Sequence, residues 1–289
     1  MKGIVLAGGS GTRLDPMTRV SSKQLQPVYD KPMIYYPLST LMESGIREIL
    51  IVSTPHDIVR FEDLLGDGAN LGLDLRYAIQ TEPRGIADAF LVARDFLDGT
   101  SVALILGDNL FYGFNFRDHV EGFGSGALIF GYPVTDPRRY GVAEVDAQGV
   151  VLSIEEKPSA PRSNLAVPGF YLFDGSVLDR VSRQTPSERG ELEITDLNLD
   201  YLSEGLLRCV EMGRGSAWLD SGTHDSLLDS ANFIATLEHR QGLKIACLEE
   251  TAFRAGFIDQ AGLVALIEDM PQSAYRQYVQ KVLDEALAS

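Results

Sequence analysis

The chain has little cysteine: Cys209 and Cys247 are the only two in 289 residues, and no C-x-x-C spacing occurs. That excludes a disulfide framework or a zinc knuckle as the organising element and fits thiols kept in a reducing compartment. Long apolar runs are also missing, and no stretch approaches the roughly 18 uninterrupted apolar residues of a membrane span. The opening Met-Lys-Gly-Ile-Val-Leu runs straight into a glycine loop, so no signal peptide is expected and a cytoplasmic location follows. Histidine is scarce as well. There are four, none in a recognisable triad context, so neither a histidine nor a cysteine nucleophile is expected. Basic residues are in deficit, 25 Lys and Arg against 41 Asp and Glu, for a formal net charge of −16. A generic nucleic-acid binder needs a basic face for the phosphate backbone and is excluded on that ground. No internal repeat, low-complexity tract or long linker occurs, and no hexapeptide pattern suggests a left-handed β-helix.

What is present is an ordinary globular composition, 45% hydrophobic and 23% charged, with one local anomaly. Residues 1–31 hold five basic groups (Lys2, Arg13, Arg19, Lys23, Lys31) and two acidic ones (Asp15, Asp30), a local charge of +3 that leaves −19 for the rest. A cationic island in an acidic chain fits a small polyanionic ligand held in one place. Short aliphatic runs at Ile4–Ala7, Glu48–Ser53, Ser101–Leu106, Ala127–Tyr132 and Phe170–Phe173 read as strands buried on both faces of a largely parallel sheet. Helical patterns at Ile34–Glu43 and Ile86–Phe96 alternate with them, so the fold class expected is α/β, doubly wound. Val142–Asp146 and Val150–Glu155 flank Ala147-Gln148-Gly149 and read as a β-hairpin. Further helices are expected at Ile194–Glu204, His224–Gln241 and Ala274–Leu287, the last within a C-terminal helical appendage of about 40 residues.

Directly after the first strand comes Leu6-Ala7-Gly8-Gly9-Ser10-Gly11-Thr12-Arg13-Leu14. Glycines let backbone N–H groups line a concave anion cradle, and Arg13 adds a charged fork for phosphate oxygens. No Gly-Lys-Ser/Thr follows, so this is not a Walker loop. Leu14 stands where a dinucleotide fingerprint has its third glycine, which disfavours an oxidoreductase. Lys23 follows ten residues after Arg13, near enough to neutralise a triphosphate and a leaving pyrophosphate. Asp108, in Leu106-Gly107-Asp108-Asn109, ends an apolar strand, where open α/β sheets bind ligands. A second carboxylate stands far downstream, Asp220 in Trp218-Leu219-Asp220-Ser221-Gly222. Mg²⁺ takes one or two protein carboxylates and fills its other positions with phosphate oxygens and water. In Glu155-Glu156-Lys157-Pro158 a carboxylate suits sugar hydroxyls and the ammonium beside it suits a sugar phosphate. The amide of Gln80 both donates and accepts, as pairing with an imide edge of thymine or uracil requires.

From Gly8 to Gly45, including Asp30-Lys31-Pro32-Met33-Ile34-Tyr35-Tyr36-Pro37-Leu38, the sequence closely resembles bacterial glucose-1-phosphate thymidylyltransferases of the short form that opens dTDP-rhamnose synthesis. Further blocks continue the resemblance almost to the C-terminus in the right order and with the right gaps. It implies transfer of thymidylyl from dTTP to glucose 1-phosphate, with Mg²⁺ on Asp108 and Asp220. It puts Arg13, Lys23, Asp108, Lys157 and Asp220 in catalysis. Nucleotide binding falls to Leu6, Gly8, Gly9, Ser10, Gly11, Thr12, Arg13, Lys23, Gln24, Gln80, Gly85 and Asp108, and sugar-phosphate binding to Asn109, Gly141, Glu156, Lys157, Val167 and Arg189. It divides the chain into a catalytic part over 1–248 (1–110 mainly for nucleotide, 111–248 mainly for sugar phosphate) and a C-terminal part over 249–289. By the same resemblance the latter serves a homotetramer and a regulatory site for dTDP-L-rhamnose. Two departures occur: Ile86-Ala87-Asp88-Ala89 replaces the usual Leu-Ala-Gln-Ala, and Ser216 stands where many members carry tyrosine. Rival readings are the same chemistry with UTP, ATP or another sugar phosphate, and a silent sugar-nucleotide sensor. The sensor is disfavoured because a pure binder need not keep Arg13, Lys23, Asp108, Lys157 and Asp220 together.

Overall fold

The computed structural model describes residues 1–9 and 11–288. Its centre is a sheet of ten strands: β1 (Lys2–Leu6), β2 (Glu48–Ser53), β3 (Asp74–Ile79), β4 (Val102–Leu106), β5 (Ala127–Pro133), β6 (Gly141–Val145), β7 (Val151–Glu156), β8 (Leu165–Ala166), β9 (Phe170–Phe173) and β10 (Leu207–Glu211). The order is β7-β6-β8-β5-β9-β4-β1-β2-β3, with β10 parallel beside β5. Strands β4, β1, β2 and β3 are mutually parallel. Alternate residues of these strands enter two different cores, because successive side chains leave opposite faces of a pleated strand. Ile4, Leu50, Val52 and Leu104 pack beneath Phe90, Val177, Leu197 and Tyr201. Val5, Ile49, Ile51 and Ile105 pack beneath Leu38, Leu41, Phe61 and Ala252. The helices Asp88–Val92, Val177–Arg183 and Ile194–Ser203 thus cover one face, and Tyr35–Glu43, Ile58–Leu65 and Leu248–Arg254 the other. That is the doubly wound α/β arrangement expected.

The parallel character is confined to one half. Strand β9 runs antiparallel to both β4 and β5, and β6, β7 and β8 are antiparallel to their neighbours, so the sheet is mixed. Continuous apolar runs mark burial on both faces and not strand direction, so this turn of the sheet does not show in the sequence. The expected helix Ile86–Phe96 is two short helices, Asp88–Val92 and Arg94–Leu97, broken at Ala93. Just ahead of the first of them, the Ala87 N–H donates to the Leu192 carbonyl at 3.1 Å. The hairpin forms as β6 and β7, with an irregularity between Val151 and Ser153.

Several elements were not expected from the sequence, among them strands β8 and β10 and the helices Ile58–Leu65 and Val177–Arg183, and two more stand out. One is the edge strand β3, whose apolar residues alternate with Asp74 and Arg76. The other is an antiparallel ribbon that pairs Asn109–Tyr112 with Ala217–Asp220, with Asp220 opposite Asn109 and Trp218 opposite Phe111. That register carries a segment more than a hundred residues downstream to the end of β4. At the C-terminus, the helices Leu248–Arg254, Gln260–Asp269 and Ala274–Ala288 close around Cys247, Leu263, Ile267, Val279, Val282 and Leu283. Their inner side docks on the main body, where Thr251 and Ser39 share a hydroxyl contact of 3.0 Å. No helix among the described residues is long and apolar enough to cross a membrane.

Candidate active site

A cleft of about 550 Å³ opens beyond the C-terminal ends of β1 and β4, walled on the other side by the β6–β7 hairpin and the helix Ile194–Ser203. Leu6, Gly8, Gly9, Arg13, Gln80, Gly85 and Asp108 line one end. Asn109, Gly141, Glu156, Lys157, Val167, Arg189 and Asp220 line the rest. Fourteen sequence-selected positions, drawn from distant parts of the chain, therefore share one cavity. Gly11, Thr12, Lys23 and Gln24 are not among its lining residues, though the side chains of Lys23 and Gln24 reach Asp108 and the Gly8 carbonyl, which are. Gly11 has φ 57°, the left-handed backbone that suits glycine, and caps the short turn Thr12–Leu14. Gln24 is buried with its Oε1 unbonded. Ser10 lies outside the described residues.

Of the five basic groups in the first 31 residues, only Arg13 and Lys23 reach this region. Lys31 is 3% exposed and bound to Asp30 and Glu238, Lys2 donates to the Phe96 carbonyl, and Arg19 pairs with Asp15. The cationic island of the sequence is thus two cleft cations plus structural ion pairs. Arg13 makes no hydrogen bond or ion pair among the described residues. Its guanidinium faces Gly222, where an added Cβ would stand only 3.6 Å away. A guanidinium beside a glycine loop suits an anion, to which it can offer a fork of N–H donors.

Lys23 folds back over the sheet to pair with Asp108 Oδ2. Burial alone would raise the Asp108 pKa, but the charge and hydrogen bond of Lys23 and the amide of Asn109 outweigh it, so the carboxyl lies below its ordinary value. Asp220 is shifted the other way. Burial raises it, the negative Asp108 raises it further, and the Tyr140 hydroxyl (3.1 Å) and Arg139 only partly offset this. The Ser221 N–H donates to the Asp108 carbonyl at 3.1 Å and holds the two segments together.

Asn109 is 4% exposed and joins three elements. Its Oδ1 accepts from Trp218 Nε1 at 2.6 Å and from the Gly169 N–H at 2.9 Å, and its Nδ2 donates to Asp108 Oδ1 at 2.9 Å. Most of its bonding capacity therefore faces into the protein. At the hairpin, Glu156 accepts from Lys157 Nζ at 2.7 Å and from Thr195 Oγ1 at 2.9 Å, over the backbone of Gly141. Lys157 has φ 44°, a left-handed backbone that costs a non-glycine residue about 1 kcal/mol or more and is typical of side chains aimed for function. Arg189 reaches the rim through Glu193 at 2.8 Å.

Tyr140, Arg139, Thr195, Trp218 and Asn198 are cleft residues that the sequence motifs did not single out. Asn198 is 1% exposed, and neither polar atom of its amide has a partner among the described residues. A buried amide of this kind is completed by water or ligand. It lies one helical turn after Thr195, and that i, i+3 spacing is the one signal that could have found it.

The nucleotidyl transferase family model matches residues 2–236. A glucose-1-phosphate thymidylyltransferase of Xanthomonas campestris pv. campestris is 54% identical over 281 residues, 96% of this chain and 95% of that one. One from Mycobacterium tuberculosis is 51% identical over 286 residues, 98% and 99% of the two chains. A crystal structure described as a Bacillus anthracis glucose-1-phosphate thymidylyltransferase in complex with sucrose superposes with a TM-score of 0.76 at 40% identity, covering 81% of this chain and 94% of that one. A UDP-glucose pyrophosphorylase bound to UDP-glucose shares the fold, with a TM-score of 0.71 at 23% identity over 82% of this chain and 98% of that one.

The opposite pKa shifts of the two aspartates give a stability test. A carboxyl raised on folding weakens the native state at pH values above its folded pKa, and the penalty disappears below the unfolded value. Asp220→Asn is therefore expected to unfold at higher urea than the parent chain at pH 7, with the gain shrinking as pH falls through the acid range. Urea titrations across that range measure it, and a loss of stability at pH 7 would contradict the assignment.

Proposed function

We infer the chemistry of this cleft from its family: the chain belongs to the nucleotidyl transferases, within the glucose-1-phosphate thymidylyltransferases. It transfers the thymidylyl group of dTTP to α-D-glucose 1-phosphate, giving dTDP-glucose and pyrophosphate, the first step of dTDP-L-rhamnose synthesis. The observation that carries the reading is the Arg13 guanidinium, the Lys23–Asp108 pair and the Glu156–Lys157 pair at one cleft.

In this reading Gly8, Gly9, Gly11, Thr12, Arg13, Lys23 and Gln24 hold the triphosphate and pyrophosphate, with Leu6, Gln80 and Gly85 around the base. Gly141, Glu156 and Val167 take the hexose, with Asn109 behind them. Lys157 and Arg189 take its phosphate. The sugar-phosphate oxygen attacks the α-phosphorus in line, and pyrophosphate leaves from the opposite side. Two anions have to meet, so positioning and cations set the rate. Asp108 and Asp220 are two carboxylates with no third acidic, histidine or cysteine partner grouped among the described residues. That donor set fits Mg²⁺, which keeps water and phosphate oxygens, and does not fit a closed zinc cage. When bound, Mg²⁺ supplies Lewis-acid stabilisation of charge on the α-phosphate. The nucleotide division at about residue 110 and the catalytic boundary near 248 follow from the same assignment.

The C-terminal helices support a second proposal: a homotetramer, cytoplasmic, inhibited by dTDP-L-rhamnose. Beside them lies a separate cavity of about 460 Å³, lined by Arg117, Lys244 and Arg254 together with Tyr112, Phe114 and Tyr278. Cations among aromatic rings suit a nucleoside diphosphate.

Pyrophosphate release tests the chemistry. Asp108→Asn should fold, yet lose about 100-fold or more in turnover, the scale of losing several kcal/mol of metal stabilisation. The parent chain should prefer dTTP over UTP, with the thymine methyl worth ~1–3 kcal/mol of that preference and the ribose 2′-hydroxyl adding to it. Near-normal turnover in the variant, or efficient use of ATP or GTP, would overturn the reading. For the second proposal, light scattering should give four chains per particle, and Arg254→Ala should weaken dTDP-rhamnose inhibition while sparing turnover. A monomer, or inhibition purely competitive with both substrates, would contradict it.

A further inference from the structure

The side-chain amide of Gln80 has one orientation open to it. Its Nε2 donates to Asp88 Oδ2 at 2.9 Å and to the Gly85 carbonyl at 3.3 Å. A carboxylate and a carbonyl can only accept, so turning the amide over would set Oε1 against two acceptors. Asp88 is 5% exposed and Gln80 8%. Asp88 does not line the cleft but stands behind Gln80 in the first turn of the helix Asp88–Val92, its other oxygen 3.6 Å from Arg84 Nε. The loop that carries Gly85 is itself fixed. Leu192 N–H donates to the Arg84 carbonyl at 2.7 Å, and a Cβ on Gly85 would come within 2.4 Å of the Leu192 carbonyl. What remains for a ligand is Gln80 Oε1, 3.5 Å from where a Cβ on Gly8 would stand.

We propose that Asp88 is a specificity-determining positioning residue: it locks the Gln80 amide so that the cleft offers the base a hydrogen-bond acceptor and no donor. The inference rests on the reading above that Gln80 faces the base. Thymine and uracil have a single ring donor, N3–H, and it meets the free Oε1. In cytosine N3 carries a lone pair and is repelled. Position 88 is one where this chain departs from the run Leu-Ala-Gln-Ala. A glutamine there both donates and accepts and so can bond either face of the Gln80 amide; an aspartate bonds only its Nε2.

The test compares kcat/KM for dTTP and dCTP, at saturating glucose 1-phosphate, in the parent chain and in Asp88→Asn, Asp88→Glu and Gln80→Leu. An asparagine can donate to Gln80 Oε1, which removes the nearer of the two acceptors opposing the turned amide and leaves only the longer Gly85 contact of 3.3 Å against presenting Nε2 to cytosine N3. Asp88→Asn should therefore lower the dTTP-to-dCTP ratio by about tenfold or more, since unmatched polar groups dominate such discrimination. Asp88→Glu, still acceptor-only, should hold the ratio within about threefold of the parent. A purely structural lesion would depress both substrates together and leave the ratio alone. If Asp88→Asn does not accumulate, Asp88→Gln offers the same donor and takes its place. An unchanged ratio in the asparagine or glutamine variant, with the ratio altered in Gln80→Leu, overturns the role of Asp88 while leaving the base reading intact. An unchanged ratio in Gln80→Leu overturns the base reading and the inference with it.

Discussion

The arrangement of the cleft depends on one half-buried carboxylate. Asp108 sits just past the end of β4, and an ionised carboxyl with little of its surface left to water calls for a compensating charge. Lys23 provides it, and to do so the segment after the glycine loop must fold back across the sheet. The same aspartate takes the Asn109 amide, and that amide in turn holds Trp218 of the ribbon and Gly169 at the start of β9. Glycine loop, strand end, ribbon and sugar-side wall are thereby fixed against each other through a chain of three side chains. Asp220 is delivered into this assembly by strand register and not by its own bonding. Burial and the neighbouring Asp108 both disfavour its charge, so it is the member of the pair whose ionised form the fold tolerates least.

That imbalance suits a site for two polyanions. Among the described residues Arg13 has no partner, while Lys157 is held by Glu156 and Arg189 by Glu193, acids at the site itself. Phosphate can replace a carboxylate partner at little cost, because both present oxygen acceptors to the same donors. Lys157, with its left-handed backbone, and Asn198, whose amide has no partner among the described residues, both line the cleft.

The sequence made legible what is local in the chain. The glycine loop after β1, the apolar runs of the parallel strands and the hairpin β6–β7 each announce themselves within about ten residues, as periodicity and turn chemistry do. Asp108 was legible because strand ends in open sheets are where ligands bind. Asp220 could be tied to it only through family resemblance, since the ribbon that joins them closes across 111 intervening residues. Tyr140 on Asp220, Thr195 on Glu156 and Trp218 on Asn109 are contacts of the same distant kind, and nothing in their local sequence marks them. Lys31 illustrates the converse. It sits in a basic stretch yet is consumed by Glu238, 207 residues away, so local charge overstated the number of available cations. The antiparallel turn of the sheet was hidden because apolar runs buried on both faces read alike in either direction.

In the proposed reading catalysis is a single direct displacement guided by cations, with no side chain bonding covalently to the nucleotide. The stereochemical course at the α-phosphorus tests this. A single diastereomer of dTTP carrying sulfur on that phosphorus is turned over with glucose 1-phosphate, and the configuration of the product is read by phosphorus NMR. Inversion is the expected outcome. Retention, the signature of two successive displacements through an enzyme-bound nucleotidyl group, would contradict it.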